Sequence, residues 1–444
     1  MNTNNPLRIL IIGHGHPELQ IGGGEHAAYH LFNELKRRTD CKPLFLARHG
    51  ATENAHPGTS FAAHKPDGSE MLFYSKFSDN FLFSQPDGKA VWKDFRSLLE
   101  HFKPDVVHFH HYLNLGLEFI REVRNYSARV PIFLTLHEYL PLCHHNGQLV
   151  TIDTYERCDG PTPAKCNRCF PYIAPAKFKQ RELFIKSFLR LVDCFVSGSE
   201  FLTGRYVAWG LPREKIVQLE NGQPSAERLP PRPLQPGEQR SRFAYFGQLL
   251  PYKGIVHLLR AMALLKERDQ RHMSLSVHGA NLSWQAEWFK KEYAEAFERA
   301  SDMAWFKGAF KHADLPHLMA ETDWVVVPSI WWENAPLVIQ EAFKYGRPVI
   351  CSNVGGMAEK VRHNVDGLHF IANNVSDMAD CMLKAAGTPG LWERLAAATP
   401  RPPTIAETVD VHLELYRDQI ARRTTRGTAS SGVQANQAQA PEYA

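Results

Sequence analysis

Two carboxylates set eight positions apart are the residues of this chain best suited to chemistry. Seven residues separate Glu333 from Glu341, and they predict a helix that begins near Ala335. Because eight positions slightly exceed two turns of α-helix, we expect both carboxylates toward one face of this element. The start of the helix offers exposed N–H groups and a dipole that favours an anion. The segment therefore combines acceptors for hydroxyl groups with a place for a diphosphate, as a sugar nucleotide requires.

A lysine on a glycine-bounded turn is the second candidate. Lys253 lies between Gly247 and Gly254, after an apolar run that predicts a strand. A lysine between a strand end and a helix can meet a phosphate as a point charge. The alternative is an ordinary solvated lysine, and the position after a strand end favours the phosphate.

A glycine-rich loop follows the first apolar run of the chain. Gly13 and Gly15 begin it, but the third glycine of the dinucleotide fingerprint is missing at the required offset. The loop continues through residues 22–24 and enters a predicted helix at Glu25. We interpret it as a loop that lets a ligand approach the backbone, the alternative being a flexible surface loop.

The elements that position these residues alternate between strands and helices. Apolar runs at 7–12, 106–109 and 132–135 predict buried strands, with helical patterns between them. Prolines crowd residues 223–240, and the alternation then restarts at Phe243. This order predicts an α/β fold with two Rossmann-like, doubly wound parallel sheets facing a cleft.

Domain boundaries follow from these breaks. We place one domain at 1–222 with a cysteine-containing insertion at 143–175, and a second at 223–404. A last helix is predicted at 405–420, and residues 421–444, rich in Ala, Gln, Ser, Thr and Gly, predict a disordered tail.

Composition limits the class of protein. The 444 residues are 44% apolar and 22% charged with a net charge of +4, which suits a soluble chain of two domains and gives no indication of nucleic acid. There is no apolar run of about 20 residues and no evident secretion signal. We therefore expect a cytoplasmic protein with mostly reduced thiols.

Four of the eight cysteines cluster in the insertion. They are Cys143, Cys158, Cys166 and Cys169, and the last two form a C-x2-C pair suited to zinc on a tight turn. We predict a structural zinc site, with a disulfide or free thiols as alternatives.

A basic amphipathic helix is predicted at 176–192, with Phe178, Phe184, Ile185 and Phe188 available to one side. Such a helix suits peripheral contact with an anionic membrane surface, here the inner membrane face. The commoner alternative is a helix packed on its own domain with a solvated basic face.

The chain as a whole resembles the family 4 (group 1) glycosyltransferases of the GT-B fold. The resemblance spans roughly residues 7–420 and is carried by short motifs in both halves: 22–25, 135–138, 220–222, 247–254, 333–341, 355–359 and 364–367. It implies a nucleotide-sugar donor held mainly by the second domain, an acceptor on the first, and a last helix that crosses back to the first domain.

The resemblance also implies roles for residues of the donor site. Glu341 would accept hydrogen bonds from the ribose hydroxyls, Glu333 would face the donor sugar, and Lys253 would neutralise the diphosphate. The usable amides near the sugar are those of Ala335 and Leu337, because Pro336 between them has no N–H.

The resemblance implies further contacts from the first domain, and at one position this chain departs from the family's pattern. Gly23 or Gly24 would close over the diphosphate, and His137 would face the sugar near the reacting carbon, although a lone histidine at a strand end is usually bonded to backbone. The family often has arginine where this chain has Gln248, a neutral donor that adds no charge.

We therefore predict a metal-independent hexosyltransferase that retains the anomeric configuration and acts on a glycan or lipid-linked acceptor in bacterial surface polysaccharide biosynthesis. A catalytic Mg²⁺ or Mn²⁺ is not expected, since no D-x-D-like pair follows a strand. The alternatives are a non-catalytic sugar-nucleotide-binding or scaffold protein on this fold, or another GT-B enzyme such as a nucleotide-sugar epimerase.

Overall fold

A computed structural model describes residues 5–19, 22–75, 79–85 and 88–434, and these form two parallel β-sheets. The first sheet has the order β3-β4-β2-β1-β5-β6-β7-β8 and is parallel except where β3 pairs antiparallel with β4. Its strands are β1 (Leu7–Gly13), β2 (Cys41–His49), β3 (Phe61–Ala63), β4 (Glu70–Tyr74), β5 (Val106–Phe109), β6 (Ile132–Leu136), β7 (Cys194–Ser197) and β8 (Ile216–Gln218).

The second sheet is parallel throughout, with the order β11-β10-β9-β12-β13-β14. Its strands are β9 (Arg242–Gln248), β10 (Ser274–Ala280), β11 (Ala304–Gly308), β12 (Trp324–Val327), β13 (Val349–Ser352) and β14 (Gly367–Phe370). The α/β fold with two doubly wound sheets is thus confirmed.

Helices cover both faces of each sheet. They are α1 (Gly23–Arg37), α2 (Gly88–Phe102), α3 (Glu118–Tyr126), α4 (Pro163–Cys169), α5 (Pro175–Leu189), α6 (Glu200–Trp209), α7 (Ile255–Glu267), α8 (Glu287–Arg299), α9 (Leu315–Ala320), α10 (Leu337–Lys344), α11 (Gly355–Lys360), α12 (Val375–Gly387), α13 (Leu391–Ala398) and α14 (Ile405–Gln434).

Each sheet lies between two layers of helices because its strands are apolar and buried on both faces. Each sheet separates two apolar clusters, one per face; in β1, for example, Leu10 and Ile12 pack on one side while Ile9 and Ile11 pack on the other. Parallel strands buried on both faces read as continuous apolar runs, as those of β1, β5 and β12 do.

The last helix, α14, returns to the first sheet. Val409, Leu413 and Tyr416 are buried in the cluster that also contains Ile9 and Phe32. The prediction that this helix ends at residue 420 is wrong, because the helix continues to Gln434. The predicted disordered tail is therefore wrong for residues 421–434, and its remainder, 435–444, lies outside the described residues. The continuation of the helix is held to the first domain, where the Arg423 guanidinium donates to Asp193 and to the Ala128 carbonyl.

The chain passes between the domains along two adjacent segments. The Gln223 N–H donates to the Pro403 carbonyl at 2.8 Å, and the Ile405 N–H donates to the Gln223 carbonyl at 3.0 Å. Gly222 permits this approach, since a Cβ at that position would lie 2.6 Å from the Ile405 Cα. The two crossings therefore run side by side as a short parallel bridge between Gln223 and Thr404.

The basic helix α5 packs on its own domain. Phe178, Ile185 and Phe188 are buried, and the guanidinium of Arg181 donates to three backbone carbonyls, including that of Phe81 at 2.8 Å. The apolar residues expected on a membrane-facing side thus face the domain, and Leu183 is the exposed exception among the helix's large apolar side chains. No helix within the described ranges combines the length and apolar character needed to cross a bilayer.

Candidate active site

The turn that carries Lys253 is fixed by a glycine. After β9 the chain forms a single 3₁₀ turn at Pro251–Lys253, and Gly254 follows with φ of 73°. A Cβ at Gly254 would lie 1.9 Å from the Pro328 carbonyl oxygen, so only glycine fits between this turn and the end of β12. Close packing of the two strand ends brings Lys253 to the segment that contains Glu333.

Lys253 and Glu333 form a short ion pair. Nζ of Lys253 lies 2.6 Å from Oε1 of Glu333, and the Ser329 hydroxyl donates to the same oxygen at 2.7 Å. Burial of Glu333 acts to raise its pKa, but the charge and hydrogen bonds of Lys253 and the Ser329 bond outweigh burial and leave the pKa lowered. The site therefore holds an ionised carboxylate beside a lysine at the carboxyl edge of the second sheet.

Glu333 lies outside the helix that contains Glu341. Pro336, with φ of −63° and ψ of 118°, precedes α10, which begins at Leu337 rather than near Ala335. The expectation that the two glutamates share one face of one element is therefore wrong, because Pro336 holds an extended conformation between them. The Glu333 carbonyl instead accepts from the Gly356 N–H at 2.7 Å, which fixes the loop against the start of α11.

Glu341 lines a separate part of the cleft. Its side chain is 9% exposed, and Oε1 lies 3.2 Å from Nε2 of His312. A cavity of about 140 Å³ opens beside it between the domains, with His26 and Asn221 on the opposite side. Burial raises the pKa of Glu341 to about 7, with Lys344 opposing the shift. The two glutamates therefore have different partners, Lys253 for Glu333 and His312 for Glu341.

The first domain faces this segment with the start of α1. A Cβ on Gly23 would lie 3.5 Å from Cδ1 of Leu337, so the first residues of α1 and α10 meet across the cleft. A Cβ on Gly24 would lie 3.7 Å from the ring of His137. Gly23, Gly24, Leu337 and His137, all proposed from the sequence, are therefore neighbours.

His137 follows β6 and is held by both domains. Its Nε2 lies 3.3 Å from Nδ1 of His110, and its carbonyl accepts from Nδ2 of Asn334 at 3.2 Å. The pKa of His137 is lowered to about 3, mainly by burial and also by the neighbouring His111 and His14. At neutral pH the ring is uncharged and can exchange hydrogen bonds with a sugar without adding a cation.

Two other predicted donor residues lie at the edges of this group. Gln248 is the exposed last residue of β9, and its carbonyl accepts from the Tyr245 hydroxyl at 2.7 Å. Ala335 packs across the cleft on the first domain, with its Cβ 3.2 Å from where a Cβ of Gly198 would stand. Among the described residues, the hydrogen-bond and ion-pair partner of the Lys253 side chain is Glu333, and neither Gln248 nor Ala335.

The four clustered cysteines are free and only partly buried, and their thiols are not gathered at metal-ligand distances in the described chain. Cys166 and Cys169 lie on the short helix α4, not on the tight turn expected for a C-x2-C pair. Burial raises the pKa of both Cys143 and Cys166 to about 11, so a bound zinc ion would have to displace their protons. The zinc site remains a prediction.

Several residues of the cleft were given no individual role from the sequence, although Glu138 and Asn334 lie within its motifs. His312 and Asn334 make the contacts described above, and Glu138 lies beside His137 with Oε1 3.3 Å from Nε2 of His111. Burial raises the pKa of Glu138 to about 8. His312 and Glu138 come shortly after β11 and β6, so a search of the carboxyl ends of all strands would have found them.

Comparison with protein families agrees with this geometry. The sequence model of the family described as Glycosyltransferase Family 4 matches residues 21–224, and that of Glycosyl transferases group 1 matches residues 231–400. The two matches meet between β8 and β9. The chain belongs to the family 4 (group 1) glycosyltransferases. It is therefore a glycosyltransferase of the GT-B fold that uses a nucleotide-sugar donor.

Individual relatives of this glycosyltransferase are distant. It is 23% identical to a glycogen synthase of Mycobacterium tuberculosis over 410 residues, covering 88% of this chain and 89% of the relative. Among solved structures, sucrose-phosphate synthase from Thermosynechococcus elongatus superposes with a TM-score of 0.68 at 17% identity, covering 94% of this chain and 100% of that one. Anabaena HepE in complex with UDP and glucose gives 0.61 at 15% identity, with 93% and 100% covered. These structures share the fold.

Proposed function

We propose that this glycosyltransferase transfers a hexose, with retention of anomeric configuration and without a catalytic metal, to a glycan or lipid-linked acceptor of bacterial surface polysaccharide synthesis. The observation that supports it best is the Lys253–Glu333 pair, 2.6 Å apart, beside the first residues of α10. A cation, free helix amides and an ionised carboxylate there suit a diphosphate and a sugar at once.

The proposed chemistry is separation of charge in a closed site. As the sugar–diphosphate bond breaks, Lys253 and the amides of α10 stabilise the departing diphosphate, and Glu333 lies near the electron-poor sugar ring. His137, uncharged at neutral pH, orients the sugar by hydrogen bonding. These groups supply the positive charge that a divalent metal supplies in other phosphate sites, which supports metal independence.

The acceptor is proposed to enter from the first domain. There Glu138 and His111, 3.3 Å apart, lie next to His137. With its pKa raised to about 8, Glu138 is mostly protonated at neutral pH, and its ionised fraction is basic enough to receive a proton from an acceptor hydroxyl. Lys177 and Lys179 are exposed on α5 and could support contact with an anionic membrane face that holds a lipid-linked acceptor.

A panel of nucleotide sugars measured by thermal shift tests the donor, since a ligand that binds the native state stabilises it by mass action. UDP sugars come first in the panel because HepE, of the same fold, is known in complex with UDP. The matching donor should then be consumed with lipid or glycan extracts, and NMR of the product should show an unchanged anomeric configuration. Donor binding without hydrolysis or transfer to any acceptor would instead favour a non-catalytic binding protein.

A further inference from the structure

A cluster of two histidines and a carboxylate lies apart from the donor site. His16 and Glu18 belong to the loop between β1 and α1, and His64 directly follows β3. Each offers one nitrogen or oxygen atom, and these atoms all lie within 4.8 Å of one another. Of the His, Cys, Asp and Glu side chains in the described ranges, this is the group gathered closely enough to hold a metal ion.

His16 is oriented as metal-binding histidines are. Its ring is fully buried, and Nε2 lies 2.8 Å from Oε2 of Glu70, which also accepts from the Tyr29 hydroxyl at 3.3 Å. Nδ1 accepts the Glu18 N–H at 3.3 Å, so Nε2 carries the ring proton and donates it to Glu70. This bond from Glu18 is long, and a metal ion at Nδ1 would replace it. A carboxylate behind one ring nitrogen fixes the tautomer and leaves the other nitrogen as a ligand.

The other two side chains approach from the surface. Nε2 of His64 lies 3.0 Å from Oε2 of Glu18, and the rings of His64 and His16 are 4.5 Å apart. Ligands around a tetrahedral zinc ion with bonds of about 2.1 Å stand about 3.4 Å apart. Pairs of ligand atoms that are up to 4.8 Å apart must therefore approach each other by up to about 1.4 Å. Glu18 is about half exposed and His64 about one-fifth exposed, so both can make this movement by side-chain rotation.

Lys65 competes with a cation for the same carboxylate. Its Nζ lies 2.8 Å and 2.9 Å from the two oxygens of Glu18. The lysine side chain is one-third exposed and can move into solvent. Water then replaces its contact with Glu18, so the loss of this ion pair costs little. Removing the lysine should therefore favour the metal, whereas removing any of the three ligands should abolish binding.

We propose that Nδ1 of His16, the Glu18 carboxylate and an imidazole nitrogen of His64 bind one divalent transition-metal ion of the zinc type. Two imidazoles and one carboxylate are a ligand set for zinc, cobalt or nickel rather than for magnesium or calcium, which take oxygen ligands. The ion would join the β1–α1 loop to the end of β3. Because the same loop leads to Gly23 and Gly24, the ion would hold the entrance of α1 in place.

Cobalt titration of the EDTA-treated full chain tests this proposal, with d–d absorption and equilibrium dialysis as readouts. We expect Co²⁺ binding that persists in Cys166→Ser and shows no thiolate-to-metal charge-transfer bands in that variant. Binding should be lost in Glu18→Gln and His64→Ala, both at the surface, and weakened about 10- to 100-fold in Glu70→Gln. Lys65→Ala and Cys166→Ser are the matched controls and should bind at least as tightly as the wild type.

Three results would overturn the proposal. The first is a wild-type chain that binds no more Co²⁺ than Glu18→Gln does. The second is unchanged Co²⁺ binding in His64→Ala. The third is binding that Cys166→Ser alone removes, which would assign the ion to the cysteines. Circular dichroism of each variant separates loss of the site from loss of the fold.

Discussion

Nζ of Lys253 and Oε1 of Glu333 lie 2.6 Å apart, although 80 positions separate the two residues in sequence. The lysine therefore has a carboxylate partner before any diphosphate reaches it. At the proposed donor site, a donor would share or take over this partner, and Glu333 would then lie next to both the phosphate and the sugar. We therefore expect donor binding to be coupled to the position of Glu333.

Replacing Lys253 or Glu341 by alanine should weaken donor binding without unfolding the protein. Loss of one charge-assisted hydrogen bond costs about 1.5–3 kcal/mol, or about 10- to 100-fold in affinity. Isothermal titration with the donor nucleotide measures the effect, and Lys291→Ala on α8, which is 80% exposed, is the control. Unchanged affinity in both variants would contradict the assignment of the donor site.

The stability of the free protein should depend on the protonation of Glu341. Burial raises its folded-state pKa to about 7 from a usual value of 4.5, so the native state binds this proton more tightly than the unfolded state. The resulting stability is complete below pH 4.5 and is lost as pH rises through 7. Melting curves should show the wild type losing Tm relative to Glu341→Gln between these values. A parallel pair of curves would show that Glu341 is ionised throughout.

Chelation should leave transfer intact on the timescale of the assay. The diphosphate is expected to be neutralised by Lys253 and the amides of α10, so EDTA removes nothing that the chemical step needs. Initial rates with and without EDTA measure this. Complete loss that Mg²⁺ or Mn²⁺ restores would show that a metal takes part in the reaction.

The cysteine cluster should hold one structural zinc ion per chain. Cys166→Ser should make residues 146–175 sensitive to protease while donor binding by the second domain survives, because the metal would stabilise a segment with little apolar core. Elemental analysis and limited proteolysis measure the two effects, and Cys381→Ser in α12 is the control. A folded, metal-free wild type would rule the site out.

Removing the Tyr416 hydroxyl should destabilise the first domain. It lies 2.6 Å from Nδ1 of the fully buried His108, whose Nε2 lies 2.8 Å from the Thr135 hydroxyl. Tyr416→Phe leaves a buried polar atom without its partner, at a cost of about 1–3 kcal/mol. Chemical denaturation measures this, with Tyr172→Phe at the 81% exposed Tyr172 as the control. Equal midpoints for the two variants would mean that α14 does not depend on this bond.

The sequence predicted the fold well where apolar strands are buried on both faces. The patterns of β1, β5 and β6 are continuous and gave their positions, while short or half-buried strands such as β3 and β8 have no such signature. The end of α14 was missed because polar and small residues after 420 read as a tail, although arginine contacts hold the helix.

The sequence predicted individual residues of the site but not the contacts between them. Local motifs gave Lys253, Glu333 and Glu341, but which side chain meets which depends on packing between distant segments. The His312–Glu341 contact and the Asn334–His137 bond join residues that no local pattern links. Spacing alone also placed the two glutamates on one element, because it could not show the extended conformation at Pro336.

The paired crossings at Gln223 and Thr404 restrict how the two domains can move relative to each other and how they can be separated. Two hydrogen-bonded segments that run side by side are expected to bend about one axis and to resist twisting and shear. If the cleft opens and closes, we therefore expect the facing ends of α1 and α10 to keep their lateral alignment. A single proteolytic nick in either crossing would leave the two halves tethered, and they would still migrate together in solution.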